Sequence, residues 1–174
     1  PAIQWLRLGH ETMYSAWLAL SVYLAIYPPI FVLLCRLCIH QGKLPFLIIA
    51  PIVWVSLEYA RAHVLGGFPW YFLAHTQYPF ESLIQVADLT GSYGVSFFIL
   101  LVTTLLADLV PAHWLSGHGL VLSPGLITRH SRGRLFVTVV LIAATQLVVL
   151  GYGIMRVSQG QFSPGPNVAL LQGN

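Results

Sequence analysis

The chain has 174 residues, 57% of them hydrophobic and only 7% charged, with a formal net charge of +3 and a mean hydropathy of +0.78. Soluble domains carry about a quarter of their residues as charges, so this composition excludes an ordinary soluble domain even though the length would suit one. It points to an integral membrane protein, an all-α helix bundle. The alternative, a soluble bundle of buried helices, fits poorly with the length of the uncharged stretches.

The first of these stretches, Thr12 to Cys35, contains no Asp, Glu, Lys or Arg and exceeds the ~20 residues that carry a helix across a bilayer. A span is predicted over 12–35. Pro28 and Pro29 fall inside it, and neither can donate a backbone hydrogen bond, so the helix should kink or unwind there. The freed carbonyls should turn that face toward the bundle interior. Cys35 and Cys38 form a C-x-x-C pair. No second cysteine pair accompanies them and His40 falls one place late for haem attachment, so two membrane-packed thiols are expected.

The second span is predicted over 44–65. Its uncharged part, Leu44 to Leu57, is short, but continued through Glu58 and Arg61 it reaches roughly 33 Å. Pro51 should bend it mildly. Glu58 and Arg61 lie one helical turn apart and share a face, where an ionisable residue at membrane depth is costly unless paired or facing a watery cavity. They can be a structural ion pair anchoring the helix end, or a direct contact to a polar lipid group. Gly66 and Gly67 should end the helix, since Gly adopts the left-handed cap conformation freely. Phe68, Trp70, Tyr71 and Phe72 then sit where aromatics favour the membrane–water boundary, with Pro69 stiffening the turn.

A third span is predicted over 89–110. Near its start Gly91, Gly94 and Ser96 place small residues at helical spacing, the pattern of a close helix–helix contact. His113, His118 and Asp108 make a weak cluster best read as loop solvation. No histidine pair has zinc-helix spacing, and no cofactor or metal is expected. The fourth span is predicted over 135–155. Residues 158–167, "SQGQFSPGPN", read as a polar Pro- and Gly-rich linker, and residues 168–174, "VALLQGN", as a short buried strand. The chain begins with Pro1 and is expected to be a piece of a longer protein, the bundle occupying 1–157.

Arg36 and Lys43 flank one loop, and Arg129, Arg132 and Arg134 sit in another on the same side. Arg7, Arg61 and Arg156 are spread over the opposite side. Cytoplasmic loops carry the basic excess, so the segment 63–88 and the C-terminal tail should face outward, in a bacterium the periplasm. There is no Gly-rich phosphate loop, no G-x-S-x-G and no nucleophile–base constellation. The three arginines near Arg132 are too few for a nucleic-acid footprint.

The order Glu58-x-x-Arg61, "GFPW" (Gly67 to Trp70), Gln77, "GSYGVSF" (Gly91 to Phe97) and "VALLQGN" resembles bacterial apolipoprotein N-acyltransferase, from about Leu44 to Asn174. The resemblance implies a membrane helix bundle joined to a periplasmic α/β domain of the nitrilase fold, of which "VALLQGN" would be the first strand. It implies location in the bacterial inner membrane. It also implies transfer of an acyl chain from a phospholipid donor to the diacylglyceryl-cysteine of a lipoprotein acceptor, the last step of lipoprotein maturation. The family uses a Glu-Lys-Cys triad through an acyl-thioester, and all three residues should lie beyond Asn174, so this segment alone is expected to be inactive. Members often have a glycine followed by Tyr-Ser-Gln where this chain has Ala74, His75, Thr76 and Gln77. Glu58, Arg61, Gly67, Phe68, Pro69, Trp70 and Gln77 are the residues expected to shape lipid or substrate access or to form a structural motif. Two other readings stay open: a non-catalytic lipid-binding or scaffold module of the membrane, and an acyltransferase-like domain fused to a glycosyltransferase.

Overall fold

The computed structural model describes residues 3, 4, 6, 10, 13–110 and 132–160. Among the described residues there are six α-helices, α1 (Met13–Ala25), α2 (Tyr27–His40), α3 (Phe46–His63), α4 (Glu81–Ile84), α5 (Ala87–Leu109) and α6 (Arg132–Gln159), and no strand. Two 3-10 turns, Val64–Gly66 and Leu73–Gln77, lie between α3 and α4. The expected strand over 168–174, most of the linker 158–167 and the loop carrying His113, His118, Arg129 and His130 lie outside the described residues.

Among the described residues four helices are long and apolar enough to cross a membrane: Met13–His40, Phe46–Gly66, Ala87–Ala107 and Leu135–Gln159. The first runs on to His40, because Arg36 does not stop it. A long cationic side chain can lay its stem along apolar surface and carry its charge to water. Helices α2, α3, α5 and α6 pack in chain order, with α3 between α2 and α5 and α5 between α3 and α6. Short α4 lies against the last turns of α6. Large apolar side chains such as Leu18, Phe136, Leu147 and Val148 stay exposed, as they must where lipid rather than water is the solvent.

The prolines of the first span behave differently from expectation. The interruption falls at Ile26, and Pro28 and Pro29 sit in the first turn of α2, where a helix has no use for the missing N–H. Both are exposed, so the expectation that this face turns inward is corrected. Helical dihedrals persist at Ile26, so the freed carbonyls are those of one turn only. Pro51, by contrast, is buried within a continuous α3. The α2–α3 contact is a small apolar core of Cys35, Ile49, Ala50 and Val53, backed by Phe31, Cys38, Phe46 and Leu57. Both cysteines are free thiols.

The small-residue stripe at the head of α5 also needs correction. Gly91 is exposed and has φ 66° and ψ −169°, a break in the helix. A Cβ there would meet nothing within 4 Å, so Gly91 is not a packing residue. Its role is conformational, because the left-handed half of φ/ψ space is nearly free only to glycine. Gly94 makes room for the Thr90 side chain across that break. Ser96 is fully buried, as is its neighbour Val95. Spacing alone cannot tell a stripe that packs helices from one that lets a helix turn.

Candidate functional site

The end of α3 is a sequence of left-handed residues. Val64 N–H bonds to Ala60 O as the C-cap. Leu65 (φ 56°), Gly66 (φ 87°) and Gly67 (φ 80°) then reverse the chain, and Phe68 N–H returns to Arg61 O at 2.8 Å. At Gly67 a Cβ would collide with the Ala62 carbonyl, whereas at Gly66 it would meet open space. Gly67 is therefore required twice over, by dihedral and by contact. After the reversal Phe68 stacks on Trp70 at 6.2 Å and 19°. Tyr71 takes φ 57°, and Phe72 turns inward to burial against Tyr93 of α5, 5.5 Å between ring centroids.

Three side chains from the helices hold this loop by its backbone. Glu58, on α3 and 3% exposed, accepts the Leu73 N–H at 2.7 Å and the Trp54 indole N–H at 3.0 Å, both on Oε1. Arg61 donates from Nη2 to Tyr71 O at 3.2 Å, and its guanidinium lies between the rings of Phe72, at 5.2 Å, and Tyr27, at 5.9 Å. Such placement over aromatic faces is favourable by about 0.5–2 kcal/mol. Ser96 of α5 accepts the Ala74 N–H at 3.1 Å. Each bond satisfies a backbone group that the irregular loop would otherwise leave unpaired near lipid, where an unmet group is expensive.

The expected Glu58–Arg61 ion pair does not form among the described residues. The one-turn spacing allows it, but both side chains bond to the returning loop instead. Glu58 Oε2 and Arg61 Nε, both buried, have no hydrogen-bond partner among the described residues. An ion pair that does form among the described residues joins Asp88 at the start of α5 to Arg156 near the end of α6, at 2.7 Å. Tyr152 donates to the other Asp88 oxygen at 2.6 Å. Next to it Gly153 lets the Ser82 backbone of α4 rest on α6, so the loop is fixed at both ends.

Between α3 and the loop opens a cleft of ≈ 620 Å³, walled by Trp54 on the helix side and by Pro69, Trp70, Tyr71, Phe72, Leu73, His75 and Thr76 on the loop side. Pro69 and Trp70 of the expected residues therefore line it. Glu58, Arg61 and Gly67 hold its frame, and Phe68 stacks behind Trp70. Gln77 ends the second 3-10 turn, its side-chain amide donating to neighbouring Thr76 Oγ1 and its carbonyl accepting the Phe80 N–H. Gly91, Gly94 and Ser96 stand on α5, and of these Ser96 alone is bonded to the loop. Trp54 escaped the sequence reading, although its place four residues before Glu58 puts both on one face of the helix. No group of three or more His, Cys, Asp or Glu residues that could hold a metal is found among the described residues. The cleft presents apolar and aromatic surface with few polar atoms, a lining chemically suited to a hydrophobic chain.

A family model described as "Apolipoprotein N-acyltransferase N-terminal domain" matches residues 1–105. Among curated relatives, the apolipoprotein N-acyltransferase of Geobacter metallireducens is 37% identical over 152 residues, 87% of this chain and 26% of the relative. The apolipoprotein N-acyltransferase of Rhodopirellula baltica is 37% identical over 117 residues, 62% of this chain and 20% of the relative. That of Pasteurella multocida is 32% identical over 99 residues, 56% of this chain and 18% of the relative. The chain thus spans about a quarter or less of the length of these relatives. No solved structure matches it.

Proposed function

The chain belongs to the apolipoprotein N-acyltransferase N-terminal domain family, and on that premise we propose that it is the membrane portion of an enzyme moving an acyl chain from a phospholipid to a lipoprotein. The acceptor is the free α-amino group of the diacylglyceryl-cysteine at the lipoprotein's N-terminus. In this reading the Glu-Lys-Cys triad and its acyl-thioester belong to a nitrilase-like domain whose first strand is residues 168–174 and whose triad lies beyond Asn174. The membrane portion supplies the donor lipid to that domain.

The observation that carries this reading is the cleft beside the end of α3, apolar, built on rigid backbone anchors and rimmed by Trp70 and Tyr71. A phospholipid's acyl chain could leave the bilayer there while its ester stays at the interface. The distribution of basic residues supports placing this end on the periplasmic face of the bacterial inner membrane. In the sequence Arg36 and Lys43 flank the loop between the first two spans and Arg129, Arg132 and Arg134 precede the fourth, whereas Arg61 is engaged by the loop and Arg156 by Asp88, and cytoplasmic loops carry the basic excess.

The test is to replace Trp70 or Arg61 by Ala in the intact enzyme and follow N-acylation of a diacylated lipopeptide together with membrane insertion. Acyl transfer should fall by about tenfold, the effect of one contact worth ~1.4 kcal/mol, with insertion retained. Unchanged transfer in both variants would remove the cleft from the reaction.

A further inference from the structure

A single oxygen ties both walls of the cleft together. Glu58 Oε1 accepts from Trp54 Nε1, at 3.0 Å on the helix wall, and from the Leu73 N–H, at 2.7 Å on the loop wall. Trp54 and Leu73 are the cleft residues that this carboxyl group touches. The other oxygen, Oε2, is buried and has no partner among the described residues. The connection therefore needs an acceptor atom at Oε1 and makes no use of a second one.

The remaining anchors of the loop do not substitute for this bond. Arg61 holds Tyr71 O from the end of α3, and Ser96 holds Ala74 N–H from α5. Neither reaches Trp54, which also packs edge-to-face on Phe31 of α2 at 5.2 Å. The indole of Trp54 is thus held between two neighbours. Phe31 fixes the ring from the α2 side, and Glu58 fixes its N–H toward the loop. Without Glu58 the loop keeps its ends, but the distance between the two walls is no longer set.

We propose that Glu58 is a positioning residue for donor binding: by holding Trp54 and Leu73 on one carboxylate oxygen it sets the width of the cleft that receives a phospholipid acyl chain. The proposal rests on the cleft being the lipid entry described above. It assigns Glu58 no proton transfer and no contact with the reacting ester. Its effect belongs in the affinity for the donor and not in the chemical step, which takes place on another domain.

The experiment uses the intact enzyme in proteoliposomes of phosphatidylethanolamine and phosphatidylglycerol. Glu58→Ala, Glu58→Gln and Trp70→Ala are compared for KM toward the phospholipid donor and for kcat. Ultraviolet resonance Raman spectra, taken as differences against Trp54→Phe, report the hydrogen bond of the Trp54 indole. Glu58→Ala removes both hydrogen bonds accepted by Oε1 and should raise KM about tenfold or more, with kcat little changed and the bonded indole signature lost. Glu58→Gln keeps a carbonyl oxygen at the Oε1 position and should restore both the signature and most of the affinity.

If Glu58→Ala leaves the indole signature in place, the bridging geometry is wrong. If the signature is lost and KM does not move while Trp70→Ala still raises it, the cleft reading stands and the positioning role of Glu58 falls. If neither variant moves KM, the cleft reading itself falls and takes the role of Glu58 with it. A Glu58→Gln enzyme that keeps the indole bond but binds donor as poorly as Glu58→Ala would assign the effect to charge and overturn the proposal.

Discussion

Replacing Gly67 by Ala should destabilise the protein far more than the same change one residue earlier. Both glycines have positive φ, +87° at Gly66 and +80° at Gly67, and placing an L-residue in such conformations costs of order 1–3 kcal/mol. At Gly66 that is the whole penalty, since a Cβ there meets nothing within 4 Å. At Gly67 the Cβ would press on the Ala62 carbonyl, and the last turn of α3 has no slack to withdraw it. Relief requires opening the turn and loosening the 2.8 Å bond from Phe68 N–H to Arg61 O, a further ~0.5–1.5 kcal/mol. Gly67→Ala is therefore expected to cost about 2–4 kcal/mol and to lower the melting midpoint clearly more than Gly66→Ala does. The assay is thermal unfolding of the intact protein in detergent, followed by intrinsic fluorescence. Midpoints are compared as a rank order, because multi-domain membrane proteins do not unfold in two states. Equal shifts for Gly66→Ala and Gly67→Ala would refute the reasoning, because the contact with Ala62 at Gly67 has no counterpart at Gly66.

Three further outcomes follow from the same frame. Ser96→Ala leaves the buried Ala74 N–H without its acceptor and should cost about 1–3 kcal/mol, whereas Thr103→Ala on the exposed face of α5 should be nearly silent in the same melt. Gly153→Val would push its side chain into the Ser82 backbone and lower stability by about 1–3 kcal/mol. Gly151→Ala, two residues earlier on open surface, should raise it by up to about 1 kcal/mol. Asp88→Asn should lower the melting midpoint by no more than a few degrees, since both partners are partly exposed. That difference should shrink in 1 M salt as screening shortens to about 3 Å, and a salt-independent loss would point to Tyr152 packing in place of the charge pair.

What the sequence discloses about this fold is mostly what depends on composition and local geometry. Four membrane-length helices are legible because runs such as Leu135 to Met155 have no charge to keep them in water. The reversal at Gly66 and Gly67 is legible because two adjacent glycines after a helical run leave few other roles. Glu58 and Arg61 were misjudged as a pair for a definite reason. Their spacing determines that they share a face, but the partners that capture them are backbone atoms of Tyr71 and Leu73, which arrive only when the loop folds back. Gly91 failed in a similar way, since the i, i+3 spacing of small residues is the same whether φ is negative or +66°. Trp54 could have been found by counting four residues back from Glu58. The Asp88–Arg156 pair joins residues 68 apart in sequence and could not have been.

The first span has an implication for the bilayer itself. Its 28 residues would extend ~42 Å as one straight helix, well beyond a hydrocarbon core of ~30 Å, whereas the 18 residues of α3 reach only ~27 Å. Tyr23, just before the interruption at Ile26, lies level with the end of α3, its hydroxyl donating to the carbonyls of Arg61 and Val64. The half of the span beyond that level, α1, contains no buried residue. Hydrophobic mismatch is relieved by tilt at small cost, and because α2 and α3 share the core of Cys35, Ile49, Ala50 and Val53, the two tilt as one unit and the cleft at the end of α3 tilts with them.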